Sequence, residues 1–430
     1  MQETVLPVIR YAFYLFVFVI PFENASTETA QIIGSIPMLV GVALTGAAVL
    51  QPRICFNVPP VAFWCFVGYV VVCFALGMTE NLDYWRHVLK KLITLAQLLL
   101  LMWISFNLLR YPEICRNALM LFVAACAVLS IFQIVGIGTV AVGQGRSSLF
   151  ADNANTVGGT LSLALIALVG ITYGRITAKS RISLLAWIVF PIMGTAIIMT
   201  GSRGSLLGLV FGIALLIIRD GNWETKLKIA SIAVLAIGFL VLTALSDDAM
   251  RARLERSMYQ GDLAGRDTIQ AHAWGMFFER PILGWGPVYN AVELGSRMGK
   301  SVRDPHSLYL TVLTETGSLG AILFFGGLGL IGRAAWQARA QIEGSLPMAM
   351  LSCLLTLNLS GSWQNRKIFW LLLAYVLASA WPIRKISRHG SSQFPEPIEV
   401  NGQEAGTVAS YPQANRARSR EISAQPERPA

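Results

Sequence analysis

The sequence predicts an all-α, polytopic integral membrane protein of about twelve transmembrane helices with one long outward-facing loop. Three observations predict it. Of the 430 residues, 54% are hydrophobic and 13% charged, about half the roughly 25% charge of soluble domains. The apolar residues come in blocks: Leu92–Leu109 and Ile229–Leu245 carry no charge, and each crosses a hydrocarbon core at ~1.5 Å per residue. Lys and Arg collect in alternate loops, as the positive-inside rule requires of membrane proteins.

Taken in order, apolar segments lie near residues 7–22, 31–50, 59–78, 89–109, 116–137, 155–173, 182–200, 203–218, 227–246, 308–331, 345–362 and 367–383. The first lacks a small-residue cleavage site, so it reads as a retained helix and not a signal peptide. An even count puts both termini on one side. One set of alternate loops holds Arg53, then Arg110 and Arg116, then Arg175, Lys179 and Arg181, then Arg219, Lys226 and Lys228, then Arg333 and Arg339. Arg384, Lys385 and Arg388 follow the last segment on that side, which is therefore cytoplasmic with both termini. The opposite set begins with Glu23–Ala30, which has no Lys or Arg. Arg86, Lys90 and Lys91 run against the rule.

The net charge of +10 is explained by these loops and does not indicate nucleic-acid binding, for no basic tract is interleaved with exposed aromatics. Six cysteines stand mostly in apolar stretches without a Cys-x-x-Cys pair. They read as small membrane-helix residues, with neither a disulfide frame nor a metal site implied. Neither a Gly-rich nucleotide loop followed by Lys-Ser/Thr, nor Asp-x-Asp, nor His-Glu-x-x-His is present, so no cofactor or metal is expected. Buried carboxylates are scarce in the spans, Glu315 being the clear candidate, which disfavours an ion-coupled transporter.

The outward-facing segments carry the unusual chemistry. Residues 247–305 form the one long connection, and within it Ile269, Ala273, Met276 and Phe277 recur at helical spacing over 266–279. That helix either lies on the membrane surface or packs on a small extramembrane lobe. Arg146, Arg203, Arg266, Arg280 and His306 all fall on the side the positive-inside rule disfavours, so topology does not account for them. Asp304-Pro305 is a helix-start signal that sets His306 in the first turn, where the helix dipole keeps the ring neutral and able to accept a proton. The plainer alternative is an interfacial histidine that caps or packs. Ser202 caps the helix after Gly201, whose free N–H groups form an anion site beside Arg203; here the alternative is an arginine snorkelling to headgroups. His87 and His389 read as loop or tail residues, and His272 sits at the edge of the 266–279 helix. After Ile383 the chain turns Ser, Pro, Gln, Glu and Arg rich, a disordered cytoplasmic tail.

Three segments, Thr200-Gly-Ser-Arg-Gly-Ser205, Gly265-Arg266 through Arg280-Pro-Ile-Leu-Gly-Trp-Gly286, and Pro305-His-Ser-Leu-Tyr-Leu310 with Glu315-Thr-Gly317, together resemble the O-antigen ligase/polymerase superfamily. Arg146 with Asp152-Asn-Ala-Asn155 is similar to its upstream element. The resemblance implies a GT-C-like membrane glycosyltransferase of the bacterial inner membrane, inverting and metal-independent, with its active site periplasmic. It would move a glycan from an undecaprenyl-diphosphate carrier to an acceptor hydroxyl, on lipid A-core or another glycan, in lipopolysaccharide or exopolysaccharide biosynthesis. Carried over by motif, His306 is the catalytic base or orients the acceptor, and Arg203 and Arg266 hold the diphosphate. Arg146 and Arg280 extend that anion site. The family often has Asn after the histidine; Ser307 stands here. The alternatives are a polymerase joining lipid-linked repeat units, and a lipid or polysaccharide transporter. The expected organisation is 1–139 N-terminal spans, 140–335 catalytic region including the 247–305 loop, 336–385 C-terminal spans and 386–430 tail.

Overall fold

Long apolar runs without charge satisfy their backbone hydrogen bonds within the segment in lipid by coiling into helices. The computed structural model describes residues 4–23, 28–80, 82–142, 146–150, 152–173, 182–217, 265–341 and 343–382, with isolated positions between 227 and 255. Its helices are α1 (Pro7–Val19), α2 (Glu28–Ala48), the short α3 (Pro52–Cys55), α4 (Val61–Glu80), α5 (Trp85–Leu109), α6 (Pro112–Val135), α7 (Ala154–Tyr173), α8 (Ile182–Met199) and α9 (Arg203–Ile217). Further along the chain come α10 (Arg266–Glu279), α11 (Tyr289–Arg297), α12 (Leu308–Ala338), α13 (Leu346–Leu357) and α14 (Lys367–Ala380). Among the described residues, five helices are long and apolar enough to cross a membrane: Val61–Thr79, Trp85–Leu109, Pro112–Val135, Ala154–Thr172 and Leu308–Ala338. Six shorter apolar helices, from Pro7–Phe22 to Lys367–Ala380, occupy positions where spans are expected. The expected span at 227–246, the first part of the 247–305 loop and the 386–430 tail lie outside the described residues, isolated positions excepted. Contacts divide the chain into residues 1–384 and 385–430, and the fourteen helices of the described residues belong to the first unit.

One departure from an all-α fold is a two-stranded hairpin. β1 (Thr139–Val142) pairs antiparallel with β2 (Arg146–Leu149), Thr139 opposite Leu149 and Val142 opposite Arg146. Helix α6 ends at Gly136, whose φ of 86° caps it, and the chain turns straight into the strand.

Lipid tails are as apolar as leucine, so helix association depends on close packing at small residues. Gly158, Gly159, Gly204 and Gly208 meet that need. A Cβ on Gly158 would stand 2.6 Å from Thr200 Oγ1, and one on Gly159 would stand 2.8 Å from the Trp363 ring. Gly204 and Gly208 approach Ser360 Oγ and Cys353 Sγ at 2.9 and 3.1 Å by the same measure. These contacts clasp α7 and α9 against α13 and the loop before α14. Elsewhere α12 packs chiefly on α4, and α14 on α5.

Lys91 of α5, one of the residues at odds with the positive-inside rule, finds its reason here. It forms an ion pair with Glu315 of α12, both side chains being largely removed from solvent. The Tyr69 hydroxyl of α4 shares a 3.3 Å hydrogen bond between Glu315 Oε2 and Gln364 Oε1. Three helices thus converge on one buried carboxylate.

Just beyond Glu315, α12 breaks. Gly317 has φ 58° and ψ −157°, a conformation open to glycine, and a Cβ there would run into the Ile282 carbonyl. The break frees backbone groups that must find partners. The loop 281–286 supplies them: Trp285 and Gly286 N–H donate to the Thr314 and Glu315 carbonyls at 2.8 and 2.9 Å. Ser318 and Leu319 N–H donate in return to Pro281 and Ile282 at 2.7 and 3.2 Å. The Pro-Ile-Leu-Gly-Trp-Gly and Glu-Thr-Gly segments, far apart in sequence, are therefore two halves of one junction.

Candidate active site

Helix α10 forms where the 3.6-residue spacing asks for it. Its apolar stripe, Ile269, Ala273 and Met276, is buried against Leu294 and Leu310, with Trp285, Met298 and Leu313 packed around them. This favours the lobe over the membrane-surface reading for that stripe. The arrangement puts Arg266, the first residue of α10, at the rim of a cavity of about 650 Å³.

Four arginines line this cavity, Arg146, Arg266, Arg303 and Arg366, against two carboxylates, Asp152 and Asp304. Each is held differently. Arg146 opens β2; its Nε donates to the Thr200 carbonyl at 2.9 Å and its Nη2 to Asn155 Oδ1 at 3.0 Å. Arg366 makes a two-pronged pair with Asp152 at 3.0 and 3.1 Å. Arg303 keeps a buried Nε without a hydrogen-bond partner. Burial lowers the pKa of Arg146 and Arg266, and neighbouring guanidiniums lower both further: Arg266 and Arg203 act on Arg146, and Arg203 on Arg266. Guanidinium stays protonated regardless; the shifts reflect burial first and crowding of positive charge second. Such crowding is relieved by a polyanion.

Arg203 is the first residue of α9. Its neighbours Ser202 and Gly204 line the cavity, and Ser202 Oγ accepts the Ser205 N–H at 3.3 Å, the expected cap. The Arg203 charge reaches both Arg146 and Arg266.

His306 lines the same cavity, but not from a first helical turn. Helix α12 begins at Leu308 with Ser307 as its N-cap, and His306 precedes it with φ 53°. The reason is local: Asp304 Oδ1 accepts the His306 backbone N–H at 2.6 Å, a side-chain turn that competes with helix initiation. The Ser362 hydroxyl also donates to Asp304 Oδ1, at 3.2 Å. Nδ1 of His306 lies 3.6 Å from that oxygen, an electrostatic contact too long for a hydrogen bond. The pKa of His306 is lowered, first by burial; Asp304 opposes this while Arg303 and Arg266 add to it. Burial and the guanidiniums thus favour the neutral imidazole, in place of the expected helix dipole.

Arg280 is not brought to this cavity. It sits at the far end of α10, whose 14 residues span ~20 Å, with its guanidinium 4.3 Å from the centre of the Trp285 ring. There it lines a separate hollow of about 630 Å³ with Pro281, Ile282, Leu283, Gly284 and Tyr289.

Arg303 and Arg366 are cavity residues that the motifs do not nominate. Both nevertheless fall in segments that the sequence expects to face outward, so the charge-sidedness argument applied to Arg146 and Arg266 extends to them. Lys367, beside Arg366, has a structural partner in Glu23.

No curated protein matches the chain. Residues 188–325 match the family model described as O-antigen ligase, a stretch that includes Arg203, Arg266, Arg280, Arg303, His306 and the α12 break but neither Arg146 nor Arg366. That match covers about a third of the chain, and over those residues this membrane protein is similar to the O-antigen ligases, transferases of polysaccharide biosynthesis.

Proposed function

We propose that the protein is an inverting, metal-independent glycosyltransferase that moves a glycan from undecaprenyl diphosphate to an acceptor hydroxyl on the periplasmic side. The observation that carries this reading is the cavity where Arg146, Arg266, Arg303 and Arg366 meet a half-buried, neutral-leaning His306. A lipid diphosphate is already a good leaving group and needs its developing charge neutralised, which guanidiniums do. A hydroxyl is a poor nucleophile and needs a base. In the proposed step the acceptor oxygen attacks the anomeric carbon opposite the diphosphate. The carbon–oxygen bond to phosphate breaks with its electron pair leaving on the diphosphate, and His306 takes the hydroxyl proton. Asp304 stands on the Nδ1 side of the ring, which leaves Nε2 as the acceptor. Both termini are cytoplasmic in this reading, and the donor enters from the membrane.

The test is a deletion strain complemented with wild type or Arg266→Ala at matched membrane expression, with surface and carrier-linked glycans resolved by gel and mass spectrometry. The proposal expects wild-type rescue and its loss in the variant, with lipid-linked donor accumulating. Long polymer left on the carrier identifies a ligase; single repeat units identify a polymerase. Linkages that still form but are mislocalised would overturn the proposal in favour of transport.

The pH dependence comes from the surroundings of His306. Activity requires the neutral ring, so it falls as pH drops through a pKa set below the ordinary ~6.5. Arg303→Ala removes a group that lowers that pKa, and the acid limb of the rate profile moves to higher pH. Asp304→Asn removes one that raises it, and the limb moves to lower pH. Limbs that coincide in wild type and both variants would exclude His306 as the titrating base.

A further inference from the structure

The hollow beside Arg280 and the apolar surface around it stand apart from the cavity of the proposed transfer chemistry. Trp274 and Phe278, stacked at 5.9 Å, face outward from α10 on the side away from its buried stripe, at 45% and 70% exposure. Ile282 and Leu283 come next at 66% and 44%. This is not a loose loop. Its backbone is tied to α12 by the four hydrogen bonds across the Gly317 break, and Trp285 Nε1 donates to the Met276 carbonyl at 2.8 Å. Four large apolar side chains are thus held outward in a fixed arrangement.

What lies next to them identifies their partner. Leu319, whose N–H bonds to Ile282, is 46% exposed, and Ile322, one turn on, is 72% exposed. Both belong to α12, a helix long and apolar enough to span. The patch therefore continues the outward apolar face of a membrane helix. Depth agrees: beyond the Gly317 break, α12 runs on to Ala338, ~31 Å of helix, which matches a hydrocarbon core of about 30 Å. The junction at Thr314–Leu319 therefore falls at the border of the core. Arg280, stacked on Trp285 beside this patch, is an arginine on an aromatic at the margin of apolar surface, the chemistry of the headgroup level. Nearby, Glu279 and Glu293 both bond to Arg297, which also stacks on Trp285 at 5.2 Å.

We propose that Trp274, Phe278, Ile282 and Leu283 dip into the leaflet on the His306 side and that the hollow at Arg280 holds a phospholipid, its phosphate on the guanidinium and its acyl chains along Leu319 and Ile322. The lobe carrying Arg266 is then moored to the bilayer at one end of α10 while the other end faces the cavity. This does not depend on the transfer reaction, and its test makes no use of activity.

The experiment places an environment-sensitive NBD fluorophore on Ile282→Cys in a Cys65→Ser background, the other native cysteines being buried. The full-length protein is reconstituted in nanodiscs of phosphatidylethanolamine and phosphatidylglycerol. Val302→Cys, at an exposed position before His306, serves as the water-side reference. The expected result is strong quenching at position 282 by 5-doxyl phospholipid with little by aqueous iodide, and the reverse at 302. Iodide quenching at 282 equal to that at 302 would overturn the mooring. For the hollow, native mass spectrometry tracks phosphatidylglycerol binding to detergent-stripped protein. Arg280→Ala is expected to weaken it about fivefold, as for one cation at an anionic lipid surface; unchanged binding would overturn the phosphate assignment.

Discussion

Replacing His306 with alanine is expected to lower the transfer rate by about 10²- to 10⁴-fold, the range for loss of a positioned general base, with little change in KM for the lipid-linked donor. The split matters because the cavity divides the labour. In the proposed mechanism Arg266, Arg303 and Arg146 supply charge for the diphosphate and remain in place in the variant, whereas His306 is the one imidazole among the cavity-lining groups. A rate loss shared between kcat and KM would mean that His306 chiefly positions the acceptor. The comparison uses purified protein in nanodiscs, initial rates at saturating and limiting donor, and His306→Gln as a variant that keeps a polar side chain. Rates in both variants within about threefold of wild type would remove His306 from the chemistry altogether.

Replacing Glu315 with alanine is expected to cost about 3–5 kcal/mol of stability, the typical result of stranding one member of a buried ion pair. Lys91 has 13% of its side chain exposed, too little for water to recover its charge, and Tyr69 loses an acceptor as well. Lys91→Met alone is expected to have a similar effect by stranding the carboxylate. The double variant Lys91→Met/Glu315→Leu should recover most of the loss, because removing both charges removes the desolvation problem. Apparent melting temperatures in one detergent check this. Single variants that melt with wild type would show the pair to be dispensable. Since the Glu315 carbonyl receives the Gly286 N–H, the single variants are also expected to loosen the loop against α12, visible as faster amide exchange at Trp285 and Gly286.

Much of this architecture is legible in the sequence because it is local. Uncharged runs announce helices α5 and α6, the Gly201 turn separates α8 from α9, and the spacing of Ile269, Ala273 and Met276 gives α10. The 200–205, 265–286 and 305–317 segments point by themselves to the O-antigen ligase superfamily. The rest depends on distance in the chain or on competition between local signals. Asp152 and Arg366 pair across 214 residues, and Lys91 and Glu315 across 224; no window of sequence contains either pair. Asp304-Pro305 reads as a helix start, yet the Asp304 carboxylate binds the His306 N–H and defers the helix to Leu308. Arg280 shares a motif with Arg266 and so reads as part of the same anion site; the length of α10 separates the two.

The junction at Gly317 also sets terms for engineering. A chimaera that imports the outward lobe of another transferase, to change its acceptor, needs more than the residues that face the cavity. Loop 281–286 and residues 314–319 exchange four backbone hydrogen bonds and approach so closely that neither Gly284 nor Gly317 has room for a methyl group. A crossover placed between His306 and Thr314 would join a donor loop to a recipient helix whose break need not match it. Crossovers placed beyond Leu319 keep both strands of the seam from one parent, so specificity moves as a module only when the first third of α12 travels with it.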